Sequence, residues 1–196
     1  MRFITVICAL WAFGSIVNVA PVIVERGNWG ADEANIALMH IQIPHAIIVH
    51  HTGELRNYAI TLGEKLRGLQ DFSMRPHIIT ETKKEKPAWG DVPYHFYIDA
   101  HGRTGEGRAI QYAGDTNTGY DTSGYIQIVV EGHFDKEKPN VAQLKALDAL
   151  VLWLVAAYHI SPDNISGHND HADTDCPGKY LKPHLDVLRR KISGST

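Results

Sequence analysis

Cysteine is nearly missing from this chain: there are two among 196 residues, Cys8 and Cys176. Cys8 falls in an apolar N-terminal run, so a mature chain would keep Cys176 alone, and a disulfide-stapled small domain is excluded. A lone thiol in an oxidising compartment is a liability unless it is buried or held as a metal thiolate. An excess of positive charge is missing too. Nineteen Lys and Arg against 22 Asp and Glu give a formal net charge of -3, which argues against nucleic acid as a partner. Repeats and low-complexity tracts are absent after Val22. With 44% hydrophobic and 21% charged residues, the composition is that of one globular domain with a sizeable core.

The first segment differs from the rest. Met1-Arg2-Phe3 is a short basic start, and Ile4 to Ala20 is apolar and uncharged, the pattern of a secretory signal. Asn18 and Pro21 make cleavage after Ala20 unfavourable, and the apolar run continues through Val24 towards the length of a membrane span. Residues 1–20 are therefore expected to be a signal peptide or an uncleaved anchor. The protein is then exported, periplasmic or secreted, and touches a membrane only through such an anchor. Residues 21–196 make up the second unit.

Within that unit, Ala46 to Val49 reads as a buried strand, and Tyr94 to Ile98 and Tyr125 to Val130 as two more. Asn57 to Phe72 carries Ile60, Leu62, Leu66 and Leu69 at helical spacing. Thr80 to Pro87 reads as a charged loop, and glycines punctuate residues 102–119 as turns. The clearest helix spans Val141 to His159 behind an Asn140 cap, and a last one spans Lys182 to Lys191 with Pro183 in its first turn. Interleaved strands and helices point to an α/β layer on one central sheet.

Twelve histidines exceed what packing requires, and their placement is informative. The strand Ala46–Val49 runs into His50-His51-Thr52; downstream come Gly167-His168 and Asp175-Cys176-Pro177-Gly178. Two imidazoles and a thiolate are good zinc ligands, and three protein ligands plus an open position is the pattern of a catalytic site. Taken singly, each has an ordinary explanation: a strand-end histidine, a turn histidine, a buried thiol.

The ordered set is more specific. Glu25-Arg26-Gly27-Asn28-Trp29-Gly30-Ala31, Ile48-Val49-His50-His51-Thr52, Trp89-Gly90-Asp91-Val92-Pro93-Tyr94-His95-Phe96, Gly105-Glu106-Gly107-Arg108 and the stretch from Gly167-His168 to Cys176-Pro177-Gly178 resemble the type 2 N-acetylmuramoyl-L-alanine amidases, in particular their peptidoglycan recognition protein branch. The resemblance implies a single central mixed β-sheet flanked by helices, with residues 21–196 as a zinc amidase domain. It implies one zinc ion on His50, His168 and Cys176, with His171 and Asp175 as nearby alternatives. Peptidoglycan or muropeptides would be the partner, and the bond cut would join N-acetylmuramic acid to L-alanine.

Tyr94 matches the family's catalytic tyrosine, and Thr174 stands where some relatives carry lysine, as a second catalytic candidate. His51 and Arg108 are the substrate-binding candidates, Arg108 for a stem-peptide carboxylate. A glutamate used by the cytoplasmic branch is replaced by Val129, and Glu131, read as opposite in strand parity, is expected to face away. The rival readings are a non-catalytic peptidoglycan-binding protein on the same fold, a cysteine peptidase with Cys176 as nucleophile and His168 as base, and an adaptor.

Overall fold

The computed structural model describes residues 20–79, 83 and 85–194. The expected signal or anchor segment lies outside the described residues except for Ala20.

The centre is a six-stranded mixed sheet of β1 (Ile23–Val24), β2 (Ala46–His51), β5 (Phe96–Ile98), β6 (Thr104–Glu106), β7 (Tyr125–Val130) and β8 (Ile165–Gly167), with β3 (His77–Ile78) and β4 (Glu85–Lys86) forming a separate hairpin. The order is β1-β6-β5-β7-β2-β8; β5, β7, β2 and β8 run parallel to one another, as do β1 and β6, and within this sheet β5 and β6 pair antiparallel. The helices are α1 (Arg26–Trp29), α2 (Leu62–Met74), α3 (Val141–Tyr158) and α4 (Lys182–Ile192). The expected central mixed sheet with flanking helices is what forms.

Alternation along the parallel strands separates two cores. Ile47, Val49, Ile126, Ile128 and Val130 face α3 and α4 through Leu147, Leu150, Leu154, Leu185 and Leu188. Val129 and Tyr97 face the other way, against Trp29, Leu62, Leu66 and Val92. Each such side chain, taken fully out of water, contributes about 1.5–3 kcal/mol. By length and composition α3 could cross a bilayer, but Leu147, Leu150, Val151 and Leu154 are buried in the first core.

Several boundaries differ from expectation. The helix expected from Asn57 starts at Leu62, because Thr61 and Glu64 form a capping box worth about 1 kcal/mol. Ile60 is left 41% exposed ahead of it. The strand expected from Tyr94 starts at Phe96, which leaves Tyr94 in the loop entering the sheet. Glu85 and Lys86, expected in a loop, pair with His77 and Ile78. The glycine-rich stretch contains β6, and at Gly105 there a Cβ would push against the Leu66 side chain of α2. Helices α3 and α4 start where expected, α3 behind a capping box from Asn140 and Gln143.

Candidate metal centre

Strand register brings two distant histidines together. Val49 of β2 pairs with Gly167 of β8, so the next residue on each strand, His50 and His168, emerges side by side with ring centroids 4.7 Å apart. His168 opens a 3-10 turn through Asp170. The chain then folds back so that the Asn169 amide donates to the Cys176 carbonyl at 2.7 Å. Cys176 Sγ comes 3.7 Å from His50 Nδ1 and receives the His51 amide at 3.3 Å. One ligand atom each from His50, His168 and Cys176 lie within 4.8 Å of one another, and all three residues are buried.

Burial fixes the protonation of this set. It lowers the His50 pKa well below the ordinary value, with the neighbouring His168 adding to the effect. It lowers His168 to about 4, reinforced by His171 and His51. It pushes the Cys176 thiol up to about 12, against the opposing hydrogen bond from the His51 amide. At neutral pH the cluster is therefore two neutral imidazoles with free lone pairs and a thiol. Among the described residues His50 Nε2 is buried without a hydrogen-bond partner, and His168 Nε2 sits 2.7 Å from the Thr118 hydroxyl. A divalent metal accepts this donor set: it supplies the positive charge that a thiolate needs, and the ligands converge without rearrangement. The three side chains could hold a metal ion.

The alternatives stand apart. His171 is hydrogen-bonded to Ser166 at 2.8 Å and packed against Tyr120 and Tyr125, while the Asp175 side chain is exposed.

Tyr94 lies beside His50, ring centroids 5.1 Å apart. Gly107 makes this placement workable, since a Cβ there would strike the Tyr94 carbonyl, which accepts the Arg108 amide at 2.9 Å. Burial raises the Tyr94 pKa, with Cys176 and Tyr120 adding to it, so the hydroxyl stays protonated and serves as a donor. Tyr94 lines two spaces: a cavity of about 140 Å³ shared with His50, Trp89, Thr118 and His168, and a groove of about 530 Å³ bordered by Asn57, Leu69, Phe72 and Tyr97. Thr174 accepts the Cys176 amide at 3.3 Å through its hydroxyl oxygen, so it braces the loop and keeps its own proton to donate.

Two expected substrate contacts sit elsewhere. Arg108 is 1% exposed, and its guanidinium donates to the carbonyls of Val92, Ala113 and Asp91 and to the Asp115 carboxylate. It fastens the loop before β5 to the loop before β7 and does not meet the cavity. His51 points to the opposite face of β2, where its Nδ1 accepts the Phe134 amide at 3.2 Å. It serves the cluster through its backbone N–H.

Glu131 needs correction as well. Two residues from Val129, it shares that residue's face, but its carboxylate is taken by Lys65 at 2.7 Å and by the amides of Asn57 and Ala100. Thr118 was not legible as a site residue, because it sits in a turn-rich stretch and meets His168 from 50 positions away.

Comparison with known proteins places this geometry in a family. The N-acetylmuramoyl-L-alanine amidase family matches residues 41–179. The chain is 30% identical over 162 residues to peptidoglycan-recognition protein SD of Drosophila simulans, covering 81% of each. The crystal structure of Drosophila peptidoglycan recognition protein SD superposes with a TM-score of 0.67 at 27% identity, over 84% of this chain and 93% of that one. The fold is also that of the amidase LysC from Clostridium intestinale, with a TM-score of 0.66 at 24% identity over 88% and 98% of the two chains. The match spans both histidines, the cysteine and Tyr94, and the chain belongs to the N-acetylmuramoyl-L-alanine amidase family.

Proposed function

We propose that this protein, exported by its N-terminal segment, hydrolyses the amide between N-acetylmuramic acid and L-alanine in peptidoglycan, with one zinc ion held by His50, His168 and Cys176. One observation carries this reading: the ligand set is complete and converged, and a protonated tyrosine stands over it. Likeness to peptidoglycan recognition proteins supports the substrate class.

Bound there, zinc would supply polarisation of the amide carbonyl and acidification of the attacking water. The Tyr94 hydroxyl, held protonated, donates to the carbonyl oxygen as charge develops on it. Thr174, whose oxygen already accepts the Cys176 amide, turns its proton towards the same oxygen. The departing amide nitrogen takes the proton that the attacking water loses, a transfer Tyr94 can relay while ending protonated as it began. The groove on the far side of Tyr94 takes the stem peptide.

A second reading, recognition without cleavage, is favoured by two facts: no carboxylate faces the cluster from Val129, and Glu131 is already paired. The experiment that separates the readings is digestion of purified peptidoglycan with and without chelator, with products identified by mass spectrometry. Peptide-free glycan and free stem peptides beginning at L-alanine, both lost with chelator, support the amidase. Intact muropeptides from a protein with zinc bound leave recognition alone. Loss of activity to a thiol alkylator but not to chelator would instead indicate a cysteine peptidase.

A further inference from the structure

The residue after His50 belongs to a different cluster. His51, His133 and Asp135 each present one ligand atom, and these atoms lie within 4.8 Å of one another. His133 Nδ1 and Asp135 Oδ2 are both buried and have no hydrogen-bond partner among the described residues. Buried polar atoms without a partner are costly unless something satisfies them. The other Asp135 oxygen accepts the Lys179 amide at 2.9 Å, which fixes the carboxylate. His51 Nδ1 accepts the Phe134 amide at 3.2 Å, so the ring proton is on Nε2 and the Nδ1 lone pair faces the 133–135 turn. The two rings stand edge to face with centroids 5.7 Å apart.

We propose that His51, His133 and Asp135 form a second site for a divalent transition metal, on the face of β2 opposite His50. Two imidazoles and one carboxylate are a ligand set for zinc and its first-row neighbours. The ion takes the His51 Nδ1 lone pair in place of the bond from the Phe134 amide. Its role is mechanical. The same turn receives the Tyr180 amide on the Phe134 carbonyl at 2.9 Å, so the ion clamps the segment after β7 to the end of β2 and to the chain that follows Cys176.

The site is independent of the proposed catalytic zinc, and metal stoichiometry tests it. Dialysis of the full chain against zinc, followed by metal analysis, is expected to give two ions per chain for the parent, one for His133→Asn, one for His168→Asn and none for the double variant. Asp135→Asn repeats the test should His133→Asn fail to fold, as judged by circular dichroism. With cobalt in place of zinc, Cys176→Ser should lose the thiolate charge-transfer band yet keep visible d–d absorption from the second site. Were only the catalytic zinc wrong, the parent would bind one ion, lost in His133→Asn and kept in His168→Asn. The proposal is overturned if folded His133→Asn or Asp135→Asn binds as much metal as the parent.

Discussion

The hydroxyl of Thr118 lies 2.7 Å from Nε2 of His168, and Thr116 supports that hydroxyl at 2.8 Å. A histidine that ligates through one nitrogen carries its proton on the other, and a partner for that N–H fixes both tautomer and ring orientation. With Thr118 accepting from Nε2, His168 would keep Nδ1 for a metal. Thr118→Val should weaken zinc binding about 10–100-fold, and Thr118→Ser should restore most of it. Competition with a chromogenic chelator measures both, and parent-like affinity in the valine variant would remove Thr118 from this role.

Tyr94 offers a donor and no ligand. Tyr94→Phe should keep zinc at parent affinity while turnover of muropeptides falls about 100–1,000-fold, the scale of losing one oxyanion donor. Full activity in the phenylalanine variant would refute the assignment.

Acid stability should depend on His95. Its ring is fully buried, accepts the Gln127 amide at 2.8 Å on Nδ1, and meets the Tyr112 carbonyl at 2.9 Å through Nε2. Burial lowers its pKa from 6.5 to about 4, against the opposing Tyr112 hydrogen bond. Between those values the unfolded chain binds the proton and the folded chain does not, so stability rises with pH across this window and is lost as pH falls. The difference corresponds to about 3 kcal/mol. Urea unfolding of metal-free protein between pH 4 and 7 should show a steeper pH dependence for the parent than for His95→Asn; equal slopes would contradict it.

Lys86 is the buried fastener of the β3–β4 hairpin. Its Nζ donates to the carbonyls of Ser73, Arg75 and Pro87 at 2.7, 3.2 and 2.9 Å, and it sits 4.1 Å from the Trp89 ring centroid. Lys86→Met keeps the volume but removes all three charge-assisted bonds, leaving the Ser73 carbonyl only the Trp89 amide, so thermal unfolding should register a loss of about 2–4 kcal/mol. Because Trp89 borders the cavity, its fluorescence should shift in the same variant. An unchanged melting temperature would contradict this account.

Legibility in the sequence followed the length and regularity of each segment. β2, β7, α3 and α4 show as apolar runs or helical periods with caps, and they formed close to where expected. β1, β6 and β8 are two or three residues long, too short for a period to appear, and β6 and β8 contain glycine. Each exists because a neighbouring strand pairs with it. The candidate metal cluster was legible through the ordered motifs around His50, His168 and Cys176, since each of these residues taken singly has an ordinary explanation. Arg108 was misjudged because a turn between glycines looks exposed, whereas tertiary packing buries it. The expectation for Glu131 failed on simple alternation, since residues two apart in a strand share a face.

The register of β2 against β7 has a consequence beyond packing. His50 stands opposite Val129 and His51 opposite Val130, so a slip by one residue would exchange the faces of the two histidines. A misregistered chain could still bury isoleucine and valine on both sides, and hydrophobicity alone would discriminate weakly against it. It would, however, dismantle both ligand sets at once. Were both sets to bind metal as proposed, metal affinity would act as a proofreader of folding, rewarding only the strand alignment that delivers each imidazole to its own side of the sheet.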